Sequence, residues 1–133
     1  MDEYNVRTFL RGGKYNSEKY RMFVLHLREL LIQHNYIDEV KEGEWITMFE
    51  GLAIKEEDLF SFCWNLANSH CVYLFDVLAE RNIIVKEKLD ATINNFFNIK
   101  NVAQTRYSYF PKPKGYDKIE KIVSDITNHL SKF

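Results

Sequence analysis

Residues 17–35 read SEKYRMFVLHLRELLIQHN, and their spacing decides the fold class. Tyr20, Phe23, Val24, Leu27, Leu30 and Leu31 recur at intervals of three and four, which places them along one face of an α-helix. Ser17 is placed to cap its first turn, since a serine oxygen can accept from a free amide there. The spacing therefore predicts a core helix from Ser17 to about Asn35 within a mainly α fold.

Working outward, Trp45, Met48, Phe49 and Leu52 keep helical spacing between Gly43 and Gly51, predicting a helix of about two turns. On the N-terminal side, Asn5 to Leu10 is expected to form a short helix stopped by Gly12-Gly13, with residues 1–16 as a segment able to be flexible. From Glu56 to Arg81 the chain is densely apolar. Acidic Glu56, Glu57 and Asp58 suit a helix N-terminus there, and Asn68-Ser69-His70 is expected to split the run into two helices; one uninterrupted helix is the alternative. Arg81 to Val85 suits a short extended stretch. Val85 to Phe97 carries Leu89, Ile93, Phe96 and Phe97 on one face, a polar corner follows at Asn98, and a short segment runs from Asn101 to Phe110. Pro111 and Pro113 end it. Ile119, Ile122, Val123, Ile126 and Leu130 then order a last helix from Tyr116 to Leu130. The expectation is a single-domain bundle of six to seven helices over residues 1–133, without strand-like alternation, internal repeat or low-complexity segment.

A hydrophobic content of 46%, with 15% aromatic residues, excludes a disordered chain. No apolar run approaches the roughly 18 residues of a membrane span, and Met1-Asp2-Glu3-Tyr4 has no secretory character, so a cytoplasmic location without membrane contact is expected. Cys63 and Cys71 are too few for a disulfide framework and read as buried free thiols.

No catalytic or metal constellation emerges, and neither an enzyme nor a cofactor is expected. His26 and His34 are more than two helical turns apart and cannot share a metal. His70 and Cys71 are adjacent, so on a helix their side chains diverge. Glu56, Glu57 and Asp58 fan around a helix end. Gly12-Gly13-Lys14 lacks the rest of a phosphate loop, and no nucleophile elbow or dinucleotide fingerprint occurs.

Charge is unevenly spread behind the net value of −1. Asp38, Glu39, Glu42, Glu44, Glu50, Glu56, Glu57 and Asp58 outnumber Lys41 and Lys55 in the middle of the chain. Lys100, Arg106, Lys112, Lys114, Lys118 and Lys121 outnumber Asp117 and Glu120 near its end. Such asymmetry is the footprint of a polyanion-binding end, although solvated faces share it.

Residues 86–115 fit a helix-turn-helix. Phe97-Asn98-Ile99 gives a corner flanked by apolar residues, with asparagine where a left-handed residue is required. The second helix would expose Lys100, Asn101, Gln104, Thr105 and Arg106, side chains suited to base edges and phosphates. Asn94 and Gln104 depart from the pattern, which prefers a small apolar and an aliphatic residue there.

Phe96-Phe97-Asn98-Ile99-Lys100-Asn101-Val102-Ala103-Gln104-Thr105-Arg106, followed by Lys112-Pro113-Lys114-Gly115-Tyr116 and Ile119-Glu120-Lys121-Ile122, resembles the C-terminal part of RteC-like regulators of conjugative mobile elements in Bacteroidetes, and their small relatives. The helix leading to Asn35-Tyr36-Ile37 and the tryptophan helix after it share that likeness. The resemblance implies a helix-turn-helix or winged-helix portion acting in element excision or transfer. A wing would have to come from Arg106 to Gly115, where two prolines favour a turn or rigid arm over a hairpin.

Two functions follow as expectations. One is a DNA-binding accessory or regulatory protein using Lys100, Asn101, Gln104, Thr105 and Arg106, with Lys112 and Lys114 on the backbone; Arg106→Ala should then weaken binding without unfolding. The other is a protein-interaction or self-associating module, a homodimer included, motivated by the aromatics Trp45, Phe49, Phe60, Phe62 and Trp64.

Overall fold

The structure, a computed structural model, describes residues 5–133 and is mainly helical. Strand β1 (Asn5–Arg7) pairs antiparallel with β2 (Ala53–Lys55), Val6 opposite Ile54. The helices are α1 (Ser17–Gln33), α2 (Glu42–Met48), α3 (Asn68–Glu80), α4 (Leu89–Phe97), α5 (Val102–Ser108) and α6 (Tyr116–Leu130), with one 3₁₀ turn at Glu56–Asp58.

Helices with clear periodicity form where their spacing places them. In α1, Tyr20, Phe23, Val24, Leu27 and Leu31 are buried. Its cap is Asn16, whose side chain accepts from the Lys19 amide at 2.8 Å, one residue before the predicted Ser17. Helix α6 buries Ile119, Ile122, Val123, Ile126 and Leu130 across both α1 and α3. At about 1.5–3 kcal/mol per buried aliphatic side chain, that docking contributes on the order of 10 kcal/mol before ordering entropy is subtracted. Trp45 is fully buried, and its indole N–H donates to the Val24 carbonyl at 2.9 Å.

Two predicted helices are absent. Residues 59–67 are not helical, and Glu56, Glu57 and Asp58 make only the 3₁₀ turn. Phe62 and Trp64 are buried and Phe60 half-buried, while Ser61, Cys63 and Asn65 between them are exposed. A spacing of two puts such residues on one face of an extended chain but about 200° apart on a helix, so burial favours the extended form. Cys63 is consequently exposed, and only Cys71 is a buried thiol. Near the N-terminus, Asn5–Arg7 is a strand instead of a helix, and Thr8 and Phe9 are buried, while residues 1–4 of the expected flexible segment lie outside the described residues. Gly12 does not cap a helix. An added Cβ there would lie 2.2 Å from the Asn82 carbonyl oxygen, so glycine is required by a close backbone crossing.

The hydrogen bonds reveal a duplicated plan: an extended arm, a long helix, a left-handed asparagine, a two-residue extended stretch and a short helix, occurring twice. In the first copy the Phe9 amide donates to the Met48 carbonyl at 2.8 Å; in the second the Phe62 amide donates to Phe96 at 2.7 Å. Asn35 (φ 65°) follows the end of α1, and Asn82 (φ 63°) the end of α3, each two residues beyond it. The next amides, Tyr36 and Ile83, donate back to Leu31 and Leu78, both at 2.9 Å, the bond pattern of a Schellman-type helix end. The arms cross between copies. The Gly12 amide donates to the Ile83 carbonyl and the Asn65 amide to Tyr36, both at 2.8 Å, with Arg11 bridged to Ile84 and Trp64 to Ile37. Each arm therefore completes the opposite copy.

Candidate nucleic-acid interface

Helices α3, α4 and α5 pack against one another at the C-terminal side of the second copy. Leu89, Ile93, Phe96 and Phe97 bury one face of α4, which ends at Asn98 in the left-handed conformation (φ 54°, ψ 39°). Asparagine tolerates that region better than other residues carrying a Cβ. Asn94, the departure from the expected pattern, ties the corner: its amide nitrogen donates to the Ile99 carbonyl at 2.8 Å. Ile99 and Val102 are buried beyond it and seat the start of α5.

The rest of α5 is held by an ion-pair cluster. Arg106 donates from Nε and Nη2 to the two carboxylate oxygens of Asp76 on α3, at 2.7 and 2.8 Å. From Nη1 and Nη2 it donates to Asp90 on α4, at 3.0 and 2.7 Å. Tyr109 adds a hydroxyl donated to Asp76 at 3.1 Å. Four of the five N–H donors of a guanidinium are thus engaged, and these bonds to Asp90 and Asp76 hold Arg106 more firmly protonated than a free arginine. Burial, with Asp76 beside it, pushes the Tyr109 hydroxyl up. Arg106 is a bolt between three helices, not a side chain presented to solvent.

A second cluster ties the following segment to α6. Lys112 pairs with Glu120 at 3.2 Å and lies 4.5 Å from the centre of the Tyr116 ring. Tyr73 donates its hydroxyl to Glu120, which, aided by Lys112, holds that carboxyl below its ordinary range against the opposing effect of burial. Lys114 is exposed, and its carbonyl lies 2.7 Å from His70 Nε2. A carbonyl only accepts, so that nitrogen carries the proton, and in the neutral ring Nδ1 accepts from the Tyr36 hydroxyl at 3.1 Å. His70 is therefore a structural strut. Its neighbour Cys71 is fully buried, with the thiol pushed well up by burial. No hairpin forms in 106–115; α5 runs on to Ser108 and a turn follows.

Of the residues singled out for DNA, Lys100, Asn101 and Gln104 stand exposed together at the start of α5, while Thr105 and Arg106 are half-buried. Lys100, Asn101 and Gln104 line a shallow groove of about 500 Å³ with Asp90, Asn94 and Asn95. It shares Asp90 and Ala91 with a larger cavity of about 710 Å³, bordered by Asp76, Glu80, Lys86, Lys88, Arg106 and Phe110. Lys86 and Lys88 escaped the sequence reading, because their proximity to α5 depends on the corner at Asn98; the only local signal was the charged run from Lys86 to Lys88.

The aromatic residues that suggested a protein interface are core residues instead. Trp45, Phe49, Phe62 and Trp64 are buried and Phe60 is half-buried against them. The most exposed aromatics among the described residues are Tyr107 (85%) and Phe110 (79%), close together beyond α5's polar start, ahead of Phe133 and Tyr116. Among the described residues no three His, Cys, Asp or Glu side chains converge to hold a metal, and no helix is long and apolar enough to cross a membrane. Comparison with protein-family models, curated proteins and solved structures finds no match to this chain.

Proposed function

We propose that this chain is a non-enzymatic DNA-binding accessory or regulatory protein that presents α5 to duplex DNA. One observation carries the reading: α5 is fixed to α3 and α4 through Val102 and Arg106, while Lys100, Asn101 and Gln104 all face outward from its beginning. Amide side chains can bond two edge atoms of an adenine, and lysine serves guanine or phosphate. Exposed Lys114 supplies a further backbone contact, Lys112 can add one only by leaving its Glu120 pair, and Arg106 acts only by holding α5 in place. The likeness to regulators of conjugative elements gives the setting, control of element excision or transfer.

Fluorescence anisotropy with short labelled duplexes, across a salt series, tests this. Binding should weaken as salt rises, with about 0.9 in log–log slope for each phosphate contacted. Gln104→Ala should lower discrimination between sequences at unchanged thermal stability. Absence of binding to any duplex at low salt overturns the reading.

The exposed pair Tyr107 and Phe110 favours a second reading, a protein-interaction or self-association module. A size measurement on the same sample separates the two. A dimer that Phe110→Ser converts to monomer, together with no DNA binding, supports the second.

A further inference from the structure

Among the described residues four that are not glycine have positive φ: Asn35, Asn82, Asn98 and Lys88. Three are asparagine, the side chain that adopts this region at least cost. The fourth is a lysine (φ 58°, ψ 26°), immediately before α4. Its backbone is fixed there, because the Thr92 amide and hydroxyl both donate to the Lys88 carbonyl, at 3.1 and 3.0 Å. Glycine or asparagine would hold the same turn with less strain. Nothing in the fold requires the ammonium group: among the described residues Lys88 makes no ion pair, and neither do Lys86 or Lys100. A strained residue with an unused charge, at the wall of a cavity, is where function accounts for what stability does not.

We infer that Lys88, with Lys86 and Lys100, forms a track for the phosphate backbone of DNA along α4, an inference that rests on the DNA-binding reading. Lys86 and Lys88 border the larger cavity, Lys100 borders the shallower groove, and the two depressions meet at Asp90 and Ala91. Asp76 and Asp90 are already bound by Arg106, which leaves Glu80 as the carboxylate on the larger cavity's wall without an ion pair among the described residues. The track lies beside the exposed start of α5, so one duplex can lay its backbone on the lysines while its bases meet Asn101 and Gln104.

Lys88→Gly is the decisive variant, since it removes the charge and relieves the backbone together. Its melting temperature should equal or exceed that of the parent, and the slope of log affinity against log salt should shrink by about 0.9. The triple variant Lys86→Ala, Lys88→Gly, Lys100→Ala should lose about 2.7 from the slope, three contacts at that value each. Lys88→Arg should keep the parental slope. If the parent binds duplex DNA and Lys88→Gly binds it with unchanged affinity and slope, the track is wrong and the DNA-binding reading stands. If the parent binds no duplex, both fall.

Discussion

Replacing Arg106 by alanine removes four hydrogen bonds, leaving Asp90 without its ion-pair partner and Asp76 with the Tyr109 hydroxyl as its remaining side-chain hydrogen bond. Two solvent-exposed ion pairs would together contribute about 0.4–2 kcal/mol. Truncating one partner of a fully buried pair costs about 3–5 kcal/mol, because the remaining charge is stranded. Side-chain exposures of 30% for Arg106, 20% for Asp76 and 43% for Asp90 place this cluster between those limits, and a loss of about 2–3 kcal/mol is expected. With an unfolding entropy of about 2.1 cal/mol/K per residue over 133 residues, that loss lowers the melting temperature by roughly 7–11 °C. Thermal and urea unfolding followed by circular dichroism measure it. Adding Asp76→Asn and Asp90→Asn to the variant should restore part of the loss by removing the stranded charges. A change below about 0.5 kcal/mol would place Arg106 among ordinary solvated pairs and return it to the set of DNA contacts.

Other expectations concern the crossing arm, the thiols and acid stability. Gly12→Ala drives a Cβ into the Asn82 backbone and should destabilise by about 1–3 kcal/mol, whereas Gly43→Ala, with nothing within 4 Å of the new Cβ and a position inside α2, should stabilise by about 0.5–1 kcal/mol; urea midpoints of the two variants should move in opposite directions. A thiol reagent should modify one cysteine, Cys63, in the native protein and both after denaturation, since Cys71 is buried. Glu120, whose pKa is lowered in the folded state, stabilises the fold fully above the unfolded carboxylate value near about 4.3 and loses that contribution as pH falls through its lower folded value. Glu120→Gln should therefore flatten the acid side of the stability profile below about pH 4.3 and be less stable than the parent at neutral pH.

Helices whose apolar residues return every three or four positions were legible because their burial depends on local spacing, as in α1 and α6. The corner at Asn98 was legible for the same reason: φ preference is a property of one residue. What escaped depends on distant partners. Phe9 is buried by stacking on Phe75, at 4.5 Å between ring centres, and nothing near Phe9 announces that. Arg106 looked like a DNA contact because its carboxylate partners lie 30 and 16 residues earlier. The alternation from Phe60 to Asn65 was present in the sequence, but it was masked by the density of apolar residues on either side, which also suits a helix. The duplication leaves little trace beyond an asparagine followed by Tyr36-Ile37 or Ile83-Ile84, because the two copies bury different side chains on the same backbone plan.

The exchange of arms has a consequence for how the chain is made. Residues 9–12 leave the ribosome well before their partners at Ile83 and Ile84, which are more than 70 positions behind. Until those arrive, α1 and α2 have formed against an incomplete wall, with Phe9 denied the Phe75 ring on which it stacks. Contacts of such sequence separation slow folding, since a long loop must close before any of them forms. The first copy cannot mature alone and wait for the second. Commitment comes late and all at once, so truncated nascent chains ending before Ile83 should remain sensitive to proteases while the 133-residue chain resists them.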